Sequence, residues 1–345
     1  MRILLEAHHP AHIHFWKFPI RELQARGHTV RLIGRKRDVM EQLIQAYPWI
    51  DAIVPEQAAN SNRFPLVSMF RRQAFVASTI RKFQPDVVAS LMGSYTQSAK
   101  LFGVRNVIFT DSEFQHFNHR IAHPFADEIH TPKCFYKDLG AKQRRYRGIH
   151  ELAFLDPKYA SFNDTMKARY ADLLERPYAL VRVSAWNTFH DIHHEGIGER
   201  LEGFVRFLSE RYRVLISAEE SALSNSLKKY ASPFSPEDFH AIVSEASFVL
   251  TEGASTASEA ACLGVPTVYI NNTEPRGYLQ MLEERYGLVR GFSDADAGLA
   301  AAEALVESLD EDMRALWHQR SLEHLHDSVD VVDYVVDILL SNHSR

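Results

Sequence analysis

Cysteine is nearly missing from this chain. Only Cys134 and Cys262 occur among 345 residues, far apart and without a CxxC pair. That excludes a disulfide framework and a zinc ribbon, and leaves both thiols to act as small buried hydrophobes. Long apolar runs are missing too. No window approaches the ~20 apolar residues that a bilayer crossing requires, and the short apolar stretch at the N-terminus runs straight into histidines, unlike a signal peptide. A soluble, cytoplasmic protein is expected. HExxH is absent, and Asp191 and Glu195, the carboxylates beside His190, His193 and His194, make no recognisable ligand spacing. No metal site is expected. There is no low-complexity tract and no short repeat, so a solenoid is excluded.

What remains is ordinary globular material, 46% hydrophobic and 24% charged, enough for two domains with their own cores. The charge is unevenly spread. Residues 1–150 hold 22 Lys and Arg against 12 Asp and Glu, whereas residues 151–345 hold 17 against 32. A positive first half suits an anionic substrate or an anionic membrane surface; differently solvated faces of two domains explain it equally well. No nucleic-acid partner is expected.

The order of patterns is repetitive. "RILLEA" reads as a strand, "FWKFPIRELQARG" as a helix and "HTVRLIG" as the next strand. The alternation continues through "IDAIVP", "PDVVASLM" and "RNVIFTDS", each separated by a helical pattern. A connector follows, and a second series runs through "YALVRVS", "YRVLISA", "SFVLTEG" and "PTVYIN" before a helical tail. Such alternation predicts an α/β protein of two Rossmann-like doubly wound domains facing a cleft. The first spans 1–160, a linker 161–177 and the second 178–328, leaving 329–345 as a final helix.

Ligands in such sheets bind beyond the carboxyl ends of the strands. Two segments lie there. "HHPAHIHF", with four histidines in seven residues, is placed in the loop after the first strand. "TEGASTASEAACLGVP" follows a strand in the second half. Its Gly253 lets a ligand approach the backbone, and Ser255 and Thr256 stand at a helix N-terminus, where a diphosphate is stabilised. Glu259, about one turn in, is placed to accept hydrogen bonds from a ribose, or else is a solvated helix glutamate. Asp111 and Glu113 follow another strand and are candidates for a general base or for orienting a histidine; the alternative for Asp111 is a helix cap.

The Gly253–Pro266 segment resembles the donor-nucleotide signature of GT-B glycosyltransferases, especially the type that adds N-acetylglucosamine to a lipid-linked peptidoglycan precursor. His12 stands fifteen residues before Gly27, an offset shared with that family's first-loop histidine. The opening segment, with "TDSEF", "RVSAWNTFHDI" and "TEGASTASEAACLGVP", also resembles a prokaryotic family of GT-B-like proteins catalogued as a domain of unknown function. Two departures stand out: "HHPA" replaces the Gly-rich first loop, and Ala254 replaces the second glycine of the donor turn. The resemblance implies a GT-B-like fold whose C-terminal helix crosses back to the first domain. It places Arg182, Ser184 and Asn187 near the donor phosphates, and Arg276, Tyr278 and Gln280 near the sugar.

The function these features imply is a metal-independent glycosyltransferase of cell-surface glycan biosynthesis. It would take a nucleotide diphosphate sugar, UDP-linked, as donor and a glycan or lipid-linked acceptor, with no cofactor. His12, Asp111 and Glu113 are its candidate catalytic residues, His12 as the base because imidazole titrates near neutral pH. His8 and His9 would orient the loop or touch the sugar, and His14 would pack or cap. The basic, aromatic segment 64–83 would dock on an anionic membrane at its inner face or hold an anionic acceptor, unless it is simply an amphipathic core helix. A non-hydrolysing sugar-nucleotide 2-epimerase is the alternative function, and a catalytically silent nucleotide-sugar-binding protein a third.

Overall fold

Continuous apolar runs such as Ile3-Leu4-Leu5 and Val107-Ile108-Phe109 carry no polar alternation, because each strand is covered by helices on both faces. The computed structural model describes residues 1–36, 39–55, 65–93, 95–161, 168–183, 197, 200–218, 223–232 and 234–341. It divides into two units, Met1–Phe154 with Ser328–Arg345, and Leu155–Asp327.

In unit one, β1 (Arg2–Glu6), β2 (Thr29–Ile33), β3 (Ala52–Ile53), β4 (Val87–Ser90), β5 (Arg105–Phe109), β6 (Glu128–Pro132) and β7 (Gln143–Tyr146) form one sheet in the order β3-β2-β1-β4-β5-β6-β7. All its pairings are parallel. The order reverses between β1 and β4, as a doubly wound sheet requires. The helix Pro10–Ala25 crosses from β1 to β2, burying Phe15 and Trp16 and donating the Trp16 indole N–H to the Glu6 carbonyl at 2.9 Å. The helix Pro65–Phe83 buries Val76, Ile80 and Phe83 and exposes Arg71, Arg81 and Lys82, which is the amphipathic core pattern.

The strands β6 and β7 lie where the sequence pattern predicts none. "EIHTP" is polar, and its polar groups find distant partners. The Arg105 guanidinium binds the Glu128 carboxylate at 2.7 Å, and His130 Nδ1 hydrogen-bonds the Tyr334 hydroxyl at 2.6 Å. Tyr334 belongs to the helix Val331–Leu340, which buries Val331, Val332, Val335, Val336 and Leu339 in this unit. Arg105 also donates to the Ile338 carbonyl at 2.9 Å, so one guanidinium ties β5, β6 and that helix together.

In unit two, β8 (Tyr178–Arg182), β9 (Arg213–Ser217), β10 (Phe248–Thr251), β11 (Thr267–Ile270) and β12 (Arg290–Phe292) form a parallel sheet in the order β12-β11-β10-β8-β9. Here the order reverses between β8 and β10. Beneath β10 and the helix Ala254–Cys262 lies a core of Leu180, Ile242, Val243, Val249 and Ala260. The turn into β11 is made by Gly264, at φ +71°. A Cβ there would stand 2.8 Å from the His318 backbone, so glycine is required both by conformation and by close approach.

Candidate functional site

The carboxyl edge of the unit-one sheet collects the histidines, though not in a loop. The helix begins at Pro10, with His9 as its N-cap accepting from the Ala11 N–H at 3.3 Å. Proline at the first helical position is favourable because its missing N–H would be unpaired there anyway. His12 therefore lies in the first helical turn. His14 is buried against the rings of Phe154 and Tyr47, a packing role. At the strand-order reversal, Glu6 and His8 are buried in contact with each other, and the His8 ring meets Tyr95 edge-on at 5.6 Å.

His12 has a defined tautomer. The backbone N–H of His8 donates to its Nδ1 at 3.2 Å. Burial, reinforced by His9 and His8, holds its pKa well below the ordinary histidine value. A neutral imidazole whose Nδ1 accepts must carry its proton on Nε2. In this arrangement His12 presents a donor at Nε2.

Asp111 follows β5 and is joined by a residue that the sequence pattern did not single out. His150 Nδ1 lies 3.2 Å from the Asp111 carboxylate, and the Ser112 hydroxyl donates to the same group at 2.9 Å. Burial alone would raise the Asp111 pKa; the charge and hydrogen bond of His150, with Ser112, overcome this and hold it at about 2. Burial likewise opposes charge on His150, but Asp111 prevails and raises its pKa. Asp111 caps no helix, since the helix His116–Ile121 begins after Gln115 without a side-chain cap. Glu113 is buried beside Cys134, its carbonyl accepting from Lys137 at 2.5 Å. Cys134 and Cys262 are free and half-buried rather than fully buried, and burial pushes the Cys134 thiol up to about 12. His150 was hidden because β7, "QRRY", has no apolar signature, so nothing marks the short segment after Tyr146 as lying beyond a strand end.

In unit two the switch point between β8 and β10 brings Arg182 and Gly253 together. Arg182 pairs in register with Thr251, and its guanidinium donates to the Ser217 hydroxyl at 2.6 Å. The Gly253 N–H donates to Thr251 Oγ1 at 2.9 Å, and no side chain caps the helix Ala254–Cys262 that starts there. Gly253 has φ −91°, and a Cβ would meet nothing nearer than 3.5 Å. The fold therefore makes no demand for glycine at this position, unlike at Gly264. Ser255 is exposed at the turn and Thr256 is buried.

Glu259 corrects the solvated alternative. It is 6% exposed, and its Oε1 lies 3.1 Å from Nε2 of the buried His240. Arg276 turns back on its own loop, donating to Thr273 Oγ1 at 3.0 Å and to the Tyr269 hydroxyl at 3.3 Å. Tyr278 is buried, and Gln280 is exposed and donates along its helix to Glu284 at 2.9 Å. Ser184 and Asn187, with His190, Asp191, His193, His194 and Glu195, lie outside the described residues. Among the described residues no helix is long and apolar enough to cross a membrane.

Two parallel sheets, each with charged groups at its order reversal, are now in place, and comparison with known proteins identifies the arrangement. A family model described as a protein of unknown function, DUF354, matches residues 1–339. The chain belongs to the DUF354 family. No curated protein sequence matches it. Among solved structures, this DUF354 chain is similar to the UDP-GlcNAc 2-epimerase from Neisseria meningitidis bound to UDP-GlcNAc, with a TM-score of 0.70 at 13% identity, covering 99% of this chain and 100% of that one. It is similar to the spinosyn forosaminyltransferase SpnP (TM-score 0.65, 15% identity, 99% and 100% covered). MurG from Acinetobacter baumannii also matches (TM-score 0.58, 16% identity, 98% of each chain). These likenesses establish an α/β fold of the GT-B type.

Proposed function

We propose that the protein is a metal-independent glycosyltransferase that takes a nucleotide diphosphate sugar in unit two. The observation that carries this reading is the uncapped N-terminus of the helix Ala254–Cys262, standing at the strand-order reversal with Arg182 on the adjacent strand. Backbone N–H groups at Ala254–Thr256 suit the diphosphate, Arg182 stabilises it as a leaving group, and Glu259 accepts from the ribose hydroxyls. UDP is the expected nucleotide, because UDP-GlcNAc is named as the ligand of the similar Neisseria meningitidis epimerase.

Unit one supplies a donor and an acceptor, neutral His12 through Nε2–H and the ionised Asp111. Together they hold an acceptor hydroxyl. As its oxygen bonds to the sugar C1 and the C1–diphosphate bond breaks, that hydroxyl becomes strongly acidic, and Asp111 takes the proton late in the step. The acceptor is a glycan or lipid-linked alcohol, and the basic N-terminal half would favour peripheral contact with an anionic inner-membrane face.

Epimerisation is the second reading, favoured by the likeness to UDP-GlcNAc 2-epimerases and by a donor–acceptor pair that also serves proton exchange on the sugar itself. A panel of UDP-, GDP-, dTDP- and CMP-sugars tests both. A UDP-sugar should raise the melting temperature, and nucleotide release should require an added acceptor. In D2O, deuterium entering sugar C2 without an acceptor would select the epimerase. Binding without either reaction would indicate a silent binding protein, and no thermal shift with any donor would reject the nucleotide-sugar reading.

A further inference from the structure

Two consecutive residues touch both charged groups assigned to the nucleotide site of unit two. In the helix Phe239–Ser244, the Phe239 ring lies 5.1 Å from the Arg182 guanidinium carbon, and the next residue, His240, lies 3.1 Å from Glu259. The start of this helix is itself anchored. The Asp238 carboxylate accepts from Arg169 at 2.6 Å and from the Tyr170 hydroxyl at 2.9 Å, while that hydroxyl accepts from the Ser235 N–H at 3.0 Å. A carboxylate as buried as Glu259 needs a polar partner, and among the described residues His240 is the only one its side chain has.

We propose that His240 is a positioning residue that aims the Glu259 carboxylate, and so sets the preference of the site for ribose over 2′-deoxyribose. The proposal rests on reading unit two as a nucleotide diphosphate site. A carboxylate with one oxygen held 3.1 Å from the buried His240 ring is restricted in rotation, so its acceptor directions favour one diol geometry. Loss of the 2′-hydroxyl then leaves a buried acceptor unpaired, the situation in which polar sites discriminate most strongly. Without His240 the carboxylate rotates, rehydrates and tolerates either sugar. Diphosphate contacts at Ala254–Thr256 do not pass through His240 and should be indifferent to it.

The test measures UDP, 2′-deoxy-UDP and inorganic pyrophosphate binding by calorimetry on the full chain. Wild-type protein should prefer UDP to 2′-deoxy-UDP by about tenfold or more. His240→Leu should bring that ratio close to one with pyrophosphate affinity unchanged, and His240→Gln, which keeps a donor, should restore most of it. If the leucine variant does not fold, His240→Asn, whose shorter amide cannot reach Glu259, carries the same expectation. On a Glu259→Gln background the His240 change should have no further effect on the ratio. A folded His240→Leu or His240→Asn protein that keeps the wild-type ratio would overturn the proposal while leaving the nucleotide reading standing. Wild-type protein that binds neither UDP nor pyrophosphate would overturn both.

Discussion

Asp111 and His150 show how a residue's ionisation becomes a property of its neighbours. Asp111 is held at about 2, below its unfolded value near 4, so its contribution is present above pH ~4 and is lost as pH falls toward 2. His150 is raised, so its contribution is full below its unfolded value near 6.5 and disappears as pH rises through the higher folded value. The pair is therefore strongest between pH ~4 and ~6.5. Asp111→Asn should cost about 1–3 kcal/mol in that window and less at pH 3 or pH 9, measured by urea unfolding at each pH. His324 behaves oppositely. Burial lowers it to about 4, so its contribution is present above pH ~6.5 and is lost on acidification toward 4. His324→Phe should keep about 2 kcal/mol more of its neutral-pH stability at pH 4.5 than wild type does, read from the same curves.

The two glycines flanking the helix Ala254–Cys262 separate ligand from fold. Gly264→Ala forces a side chain into a positive φ and against the His318 backbone, and should cost about 2–4 kcal/mol of unit-two stability. Gly253→Ala should change stability by less than about 1 kcal/mol, since its φ and surroundings admit a methyl group. It should nevertheless weaken UDP-sugar binding about tenfold, because the methyl occupies space the diphosphate would approach. Thermal melts and calorimetry on the two variants check both halves of the contrast, and a stable Gly264→Ala protein or a Gly253→Ala protein with full affinity would contradict it. The helix Pro10–Ala25 carries a different lesson at the same scale. Its first turn reads as a loop because histidines blur the apolar periodicity and proline suggests a break, yet proline at that position starts a helix.

At the scale of the molecule, unit one is completed by the end of the chain. The helix Val331–Leu340 covers apolar surface in unit one and accepts hydrogen bonds from Arg105, while its Tyr334 hydroxyl satisfies His130. Removing residues 328–345 should expose that surface and strip partners from β5 and β6, a loss of more than about 5 kcal/mol from burial of the five apolar side chains. Hydrogen exchange on the truncated chain should show protection lost across residues 1–154 and kept within 155–327. Equal protection in both units would contradict the prediction.

Local sequence signals specify the fold class and the strand, turn and helix around Gly253. Alternating apolar runs and helical periods specify parallel strands with covering helices, and "TEGASTASEAACLGVP" encodes its strand end, turn, helix and glycine stop within one short stretch, so each signal is local. Tertiary structure decided the rest. The strand β6 exists because Arg105 and Tyr334 satisfy Glu128 and His130, and β7 because an edge strand needs little apolar content. His150 meets Asp111, and His240 meets Glu259, only after the chain has folded. The tautomer of His12 was likewise set by one backbone N–H, since burial and hydrogen bonding act through partners that residue spacing does not reveal.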